Sequence, residues 1–404
     1  DVEASIKGDY VTVKHLEQAA VERGDYDTAK WAKIRAKTIG GEDVLSFLSR
    51  KAVIPKYGFP VDVVELDTQR TQRGYDAMDV TLQRDLSIAI AEFAPTSQLV
   101  ANKKVWTSCG LKKVPEKEWD RRWYARCSKH NRFERKVWGG EGQPPSFNRC
   151  CPGMVVSQYI EPKFGFITSR DKPEAPKGRP TRVFTTRPYF AGFKDKEGDK
   201  ISLNLVTLTT VSPGYMVVLC EGRRGQGFYI CGRCGTGFRK LEKNHKTPYG
   251  QDCNGTLQQV SLGHEFVTDV LQLQFHLKSE AGIEPLWFAY SLAYALVEGA
   301  AEVLEVPSTD LNASVAHGDK HHIPPIILYD NVPGGAGLVA RLEEKQMLHE
   351  CFDSALQRVA RCTGCAEDSS CYSCLRSYRN QFAHQQLQRG PVMHYLEEIL
   401  RQWE

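Results

Sequence analysis

Four cysteines near the end of the chain, Cys362, Cys365, Cys371 and Cys374, constrain its fold more than any other residues. They form two Cys-x2-Cys knuckles five residues apart. Four thiolates so spaced can surround one tetrahedral Zn(II) and leave no position open for water. A closed site of this kind is structural, so it is expected to clamp the terminal helices rather than to hydrolyse anything. A four-cysteine iron–sulfur cluster draws on the same donors, and reduced, buried cysteines with accidental spacing are the plainer alternative. Cys351 lies outside the pattern and is read as a core residue.

The chain has 404 residues and 13 cysteines. Its length, the lack of any export signal and the knuckle spacing favour metal-held thiolates in a reducing, cytoplasmic compartment over disulfides. A second set pairs Cys231 and Cys234 with Cys253, at the end of a strand-like Phe228-Tyr229-Ile230. His245 would complete a ribbon site of three cysteines and one histidine, with Cys220 as the weaker fourth ligand. A third set joins Cys127 and His130, at knuckle spacing, to Cys150 and Cys151. Adjacent cysteines rarely hold one ion together, so Cys109 or no fourth ligand at all is the alternative there.

Charge is distributed unevenly. Between Lys103 and Trp138 stand 12 Lys/Arg against 4 Asp/Glu, so the remainder of the chain carries about −4 under an overall +4. A basic island on a faintly acidic body suggests a polyanion-facing surface. Arg121, Arg122, Arg126, Arg132, Arg135 and Lys136 interleave there with Trp106, Trp119, Trp123, Tyr124 and Trp138. Cations neutralise phosphate while aromatic faces stack on unpaired bases, which suits DNA with a single-stranded portion. A solvated face around a small zinc module, with the aromatics as its core, is the rival explanation.

The pattern along the chain is α+β and multi-domain. Residues 1–100 read as helices, broken near Gly24-Asp25, followed by a connector with a strand at Val61–Val64, a helix over Leu82–Phe93 and a strand over Gln98–Val105. Residues 101–155 form the basic, cysteine-bearing module. Residues 156–260 are β-rich, with strands near Phe164–Ile167, Val183–Thr185 and Leu203–Val211, a polar loop over Ser169–Arg182 and the zinc ribbon. Residues 261–404 read as an α/β domain closed by the four-cysteine site. Its expected parts are a long apolar helix from Leu286 to Val306, framed by Pro285 and Pro307, a buried strand at Ile326–Tyr329, and helices over Gly337–His349, Cys371–Phe382 and Val392–Trp403. No apolar run approaches the ~18 residues that cross a bilayer, so no membrane partner is expected.

Two further features are weaker. Asp330-Asn331-Val332-Pro333-Gly334-Gly335-Ala336-Gly337 joins a strand to a helix, where backbone N–H groups can gather an anion. The Lys-Ser/Thr ending of a nucleotide-binding loop is missing, so a structurally required turn is the better reading. His317, Asp319, His321 and His322 offer metal-binding chemistry in a polar segment, without an assisting glutamate at helical spacing. No P-loop, no acidic box and no nucleophile elbow is present, so no complete active site is visible. Asp1 rather than Met opens the chain, which reads as a piece of a longer one.

Several stretches together resemble a group of large bacterial superfamily 2 DEAD/DEAH-box helicases. Leu45–Leu66 and Leu82–Val100 are similar to the segment after the second RecA-like domain, and Gly227–Gly235 to an internal ribbon. Gly263-His264-Glu265-Phe266-Val267-Thr268-Asp269-Val270, the Tyr329–Gly337 loop and the terminal cysteines resemble the zinc-binding C-terminal domain first named for the mitomycin repair helicase MrfA. Relatives of that family act in DNA repair and in anti-phage systems such as Druantia and DISARM. The resemblance implies zinc as a cofactor, DNA as a partner, and ATP with Mg supplied only through motor domains absent from this sequence, in the same chain or a partner helicase. It implies an accessory, DNA-binding region of a helicase or translocase, with defence preferred over repair. A stand-alone scaffold subunit that docks onto a separate helicase, and a metal-dependent nuclease built on the His317–His322 cluster, are the rival functions. The Cys150-Cys151 pair departs from the family's knuckle spacing, and Ser169–Lys200 is longer and more polar than the family pattern.

Overall fold

The computed structural model describes residues 2–26, 28–29, 32–33, 36, 40, 62–69, 80–113, 118–137, 145–178, 183–277, 283–318 and 322–403. Expectations resting on residues 45–61, Trp138, Asp319 and His321 lie outside them. The fold is α+β. Helix α1 (Val2–Glu22) stops just before Gly24, where the sequence places a break.

A first sheet has the order β2-β1-β8-β4-β3. It is built from β1 (Val63–Asp67), β2 (Gln83–Asp85), β3 (Gln98–Ala101), β4 (Lys104–Leu111) and β8 (Phe166–Thr168). Two expectations need correction here. The stretch Leu82–Phe93 is not one helix, because β2 pairs with β1 and only α2 (Leu86–Glu92) is helical, opened by Asp85 accepting from the Ser87 N–H. Gln98–Val105 is not one strand but a hairpin, turned at Asn102 and Lys103, both at positive φ (48° and 57°). Such a two-residue turn matches the twist of the strands it joins, and without a glycine it leaves little trace in sequence.

The second sheet is larger and takes strands from three of the four expected segments. Its spine is β11 (Val206–Cys220) against β16 (Leu257–Phe275), antiparallel from Val206↔Phe275 to Cys220↔Leu262. A register shift between Thr209 and Ser212 precedes Pro213, as expected for a proline inside a ladder. On one side β7 (Val155–Ile160) runs parallel to β16 and carries the hairpin β5 (Arg121–Cys127) and β6 (Arg132–Val137). On the other, β9 (Arg187–Phe193) and β10 (Lys200–Leu203) pair with β11. Val183–Thr185 lies outside the named strands, with Phe184 edge-on to Phe228 at 5.0 Å.

The ribbon strands β12 (Phe228–Cys231), β13 (Gly237–Phe238), β14 (His245–Lys246) and β15 (Asp252–Cys253) lead into β16. After it come α3 (Pro285–Val303), β17 (Leu311–Val315) and β18 (Ile326–Asp330). Pro285 opens α3, where its missing N–H costs nothing. The helix is apolar nearly all round because it lies inside the C-terminal core, against β17, β18 and two later helices, α4 (Lys345–Ala360) and α5 (Arg389–Arg401). The helix expected over Gly337–His349 is instead a 3-10 turn (Val339–Glu343) and the start of α4, separated by an extended Glu344. No α-helix covers Cys371–Phe382 either, since the knuckle turns back on itself to bring thiolates together. Among the described residues no helix is long and apolar enough to cross a membrane.

Candidate metal centres and the surface around them

Zinc–sulfur bonds near 2.3 Å at tetrahedral angles place neighbouring sulfurs about 3.8 Å apart, whereas a disulfide holds them at about 2.0 Å. In the terminal cluster the Sγ atoms of Cys362–Cys365, Cys362–Cys371, Cys365–Cys374 and Cys371–Cys374 lie 3.8, 3.4, 3.7 and 3.8 Å apart. The four cysteines are free thiols whose positions fit one zinc ion. The Cys371 N–H donates to Cys374 Sγ at 3.2 Å, so the backbone further stabilises thiolate charge.

The centre is also wired to the helices. Buried Arg389, at the start of α5, donates from Nε to Cys365 O and from Nη1 to Val359 O at 3.2 and 3.1 Å. Arg358, in α4, reaches Cys374 O at 3.2 Å and Glu298 of α3 at 2.9 Å. Three helices are thereby tied to the cysteine cluster through one carbonyl of each knuckle, an arrangement that suits a clamp.

The second group is Cys231, Cys234, His245 and Cys253, whose ligand atoms all lie within 4.8 Å of one another. His245 Nε2 is buried without a hydrogen-bond partner, a costly state for an imidazole unless it is a ligand. The Cys231 and Cys253 sulfurs lie 3.8 Å apart, and each accepts a backbone N–H, from Cys234 and Gly255, at 3.4 Å. A Cβ on Gly255 would sit 2.4 Å from Cys231 Sγ, so only glycine lets the chain pass the sulfur. Cys220, the weaker candidate, is buried in the neighbouring core instead.

The third group is Cys127, His130, Cys150 and Cys151, again within 4.8 Å of one another. Cys127 Sγ lies 3.4 Å from His130 Nδ1 and 3.3 Å from Cys151 Sγ. The adjacent cysteines do point to one place, and Cys109 is not in the group. The hairpin tip that carries His130 rests on the C-terminal domain. There the His130 carbonyl lies 3.0 Å from His317 Nδ1, and Asn131, buried at φ 50°, donates to Val315 O and accepts from Arg187 at 2.7 Å. His317 and His322 belong to none of the three converging groups found among the described residues.

The basic stretch is arranged differently from the sequence picture. Trp106, Trp119 and Tyr124 are buried, so they form core rather than stacking platforms, and among the described aromatics of the stretch Trp123 alone is half-exposed. Alternation along β5 turns Arg122, Tyr124 and Arg126 toward a polar layer on β11 and β16. Arg126 pairs with Glu221, while Arg122 and Arg135 reach Glu265 at 3.6 and 3.2 Å. Arg121 faces Glu118 at 3.6 Å, Arg132 pairs with Glu134, and Lys136 donates to Ser146 O.

Sequence reasoning missed a buried ion pair. His264 Nδ1 lies 2.8 Å from Glu161 Oε1, and its Nε2 is 3.8 Å from Asp62. Burial is the largest single effect and opposes charge on both. Their mutual hydrogen bond and the charges around them, Asp62 and Asp85 near His264 and Lys163 near Glu161, together outweigh it and hold His264 up at about 9 and Glu161 down at about 2. Lys163, itself on Asp120, adds a contact to Glu161 at 3.4 Å. Glu161 and His264 are 103 residues apart, so no local signal marks them.

The glycine-rich loop keeps its N–H groups for internal acceptors, Gly334 and Gly335 donating to the carbonyls of Val267 and Val332 and the later residues to carboxylates. Buried Asp330 accepts from Ala336, Leu338 and Val339 at 2.7–3.0 Å, and Asp269 accepts from Gly337 at 3.1 Å. Gly335 has φ 74°, and a Cβ there would lie 2.2 Å from Asp269 Oδ2. Thr268 Oγ1 donates to Asp330 O and Val332 O. The Gly263–Val270 strand and the Tyr329–Gly337 loop are thus one interlocked unit, and the turn reading is the one the geometry supports.

The chain is 24% identical over 403 aligned residues to Druantia protein DruE of Escherichia coli (strain UMEA 4076-1), covering 86% of this chain and 21% of that protein. It therefore spans about a fifth of the length of this curated relative. Two solved structures of DUF1998 helicase MrfA, one bound to DNA and one to DNA and AMPPNP, each share 12% identity with it. Their TM-scores are 0.37 and 0.25, covering 88% and 60% of this chain and 39% and 26% of theirs; overlaps of that size carry no weight for fold or function. Residues 292–375, from α3 through the last of the four terminal cysteines, match the family described as the MrfA Zn-binding domain, so the chain carries a zinc-binding domain of the MrfA type.

Proposed function

We propose that this chain is the C-terminal accessory, DNA-contacting region of an ATP-dependent DNA helicase or translocase. The observation that carries the proposal is the MrfA Zn-binding domain over residues 292–375, joined to a likeness to Druantia protein DruE along most of the chain. Motor domains, in the same polypeptide or a partner, would bind ATP and Mg, and this region would hold a DNA strand beside them. Three zinc centres act as staples: one ties the terminal helices, one folds the ribbon, and one fixes the β5–β6 hairpin where it rests on the C-terminal domain. A rigid frame of this kind suits a region that must resist the force of a moving strand. The DruE likeness favours a role in anti-phage defence over repair.

DNA-dependent ATP hydrolysis by the natural protein that contains this chain tests the proposal. Hydrolysis stimulated by single-stranded DNA, and uncoupled from DNA when residues of this region are removed, is expected. Hydrolysis indifferent to DNA and to the loss of this region would sink it. A P-loop and acidic box in the same gene upstream of this segment separate an accessory region from a stand-alone subunit.

A further inference from the structure

The arginines of the basic stretch already have carboxylate partners at Glu221, Glu265, Glu118 and Glu134. Turning Arg126 or Arg135 outward to a phosphate would strand Glu221 or Glu265 in a half-buried layer, a penalty that offsets what the phosphate contributes. A phosphate-binding surface is better built where cations are exposed and unclaimed.

The zinc ribbon offers such a surface. Between Cys231 and Cys253 stand five Lys/Arg against two Asp/Glu. Lys240, Lys243 and Lys246 are all exposed, and no carboxylate of the described residues lies within ion-pair distance of them. Leu241 and Tyr249 are 66% and 40% exposed beside them, which puts apolar and aromatic surface next to the cations. The ribbon is held still beneath this face. Gln69 donates to Pro248 O at 3.2 Å, Arg170 to Tyr249 O at 2.8 Å, Thr236 to Lys246 O at 2.9 Å, and Arg239 to Thr96. The metal group closes the ribbon from within. Presenting several cations on a rigid element lowers the ordering cost of binding.

We infer that the outer face of the zinc ribbon, Lys240, Lys243 and Lys246 with Tyr249, is the surface that grips the backbone of a single DNA strand. The inference rests on the proposed DNA-contacting role and names the place where it is performed. Lysines neutralise successive phosphates, and the Tyr249 ring supplies a stacking face for an unpaired base. Each phosphate neutralised on a single strand contributes about 0.7 to the slope of log K against log salt. Three lysines therefore account for a slope of about 2, and for about a hundredfold in affinity near 0.1 M salt.

The experiment is a fluorescence-anisotropy titration of the whole chain, zinc-loaded, against a labelled oligothymidine. The triple variant Lys240→Ala/Lys243→Ala/Lys246→Ala is compared with Lys172→Ala/Lys194→Ala/Lys196→Ala, an equal charge change at exposed positions elsewhere. Zinc content and thermal midpoint of each variant confirm that it is folded. The expected result is about a hundredfold loss and a slope flatter by about 2 for the ribbon variant alone. Equal behaviour of the two variants, with binding by the parent chain intact, overturns the ribbon assignment and leaves the DNA-contacting role standing. Failure of the parent chain to bind at low salt overturns both.

Discussion

Replacing His264 with Gln removes the positive partner of Glu161 while keeping a polar side chain of similar length. His264 is held at about 9 against an ordinary 6.5, and about 1.4 kcal/mol per pH unit makes that difference worth about 3 kcal/mol. Glu161, at about 2 against 4.5, reports the same bond from the other side, so the two figures are not summed. The signs are opposite. A histidine raised in the folded state contributes fully below pH 6.5 and loses its contribution as pH rises through about 9. A glutamate depressed in the folded state contributes above pH 4.5 and loses its contribution as pH falls toward about 2. Stability should therefore plateau between about pH 4.5 and 6.5 and decline on both sides. At about 2–4 °C per kcal/mol, the alkaline limb amounts to a fall in Tm of about 6–12 °C. Differential scanning fluorimetry of the parent and His264→Gln chains at about pH 6 and about pH 9.5 reads it directly. The variant should melt lower at the acid pH and lose far less on going to the alkaline one. Parallel losses in parent and variant would show that the pair does not govern this limb.

Three other outcomes follow from the same structure. Metal analysis of the folded chain should give three zinc ions, and Cys374→Ser should leave two while loosening α4 and α5 in hydrogen exchange; a parent value near one would restrict the metal to the terminal site. Asp330→Asn keeps the size of the loop's acceptor but replaces one carboxylate oxygen with an NH2 donor, which must face either the Val339 N–H or those of Ala336 and Leu338, and should lower stability by about 1–3 kcal/mol in urea titration, with no change meaning the loop is held by other contacts. Arg126→Glu places a like charge beside Glu221 and Tyr124 and should cost about 3–5 kcal/mol in the same assay, whereas a stable variant with only weakened DNA binding would return this arginine to the DNA surface.

The parts of the fold legible in the sequence are those set by short-range chemistry. Knuckle spacing marked the terminal and ribbon clusters but left the fourth ligand of the third open, since Cys150 and Cys151 depart from it, and an apolar run between prolines announced α3. Four consecutive apolar residues announced β18, whose whole length is buried. What stayed hidden depends on residues far apart. The Asn102-Lys103 turn lacks the glycine that usually marks its class, so one hairpin read as one strand. A helix expected over Cys371–Phe382 gives way to turns, because the cysteine cluster needs the chain to fold back there. Charge density along residues 103–138 was visible, but the carboxylates that absorb it, Glu221 just past β11 and Glu265 in β16, lie about 95 and 130 residues away from Arg126 and Arg135. The Gly263–Val270 motif stood out as a resemblance, and its physical content appeared only when His264 met Glu161 and Asp269 met the glycine loop.

Binding of the zinc-loaded chain to a labelled single-stranded oligonucleotide, between about 50 and about 200 mM salt, tests the central claim most directly. The account predicts saturable binding whose log K falls linearly with log salt, with a slope of at least about 2 in magnitude. Absence of saturable binding at the lowest salt, or an affinity indifferent to salt, would contradict it.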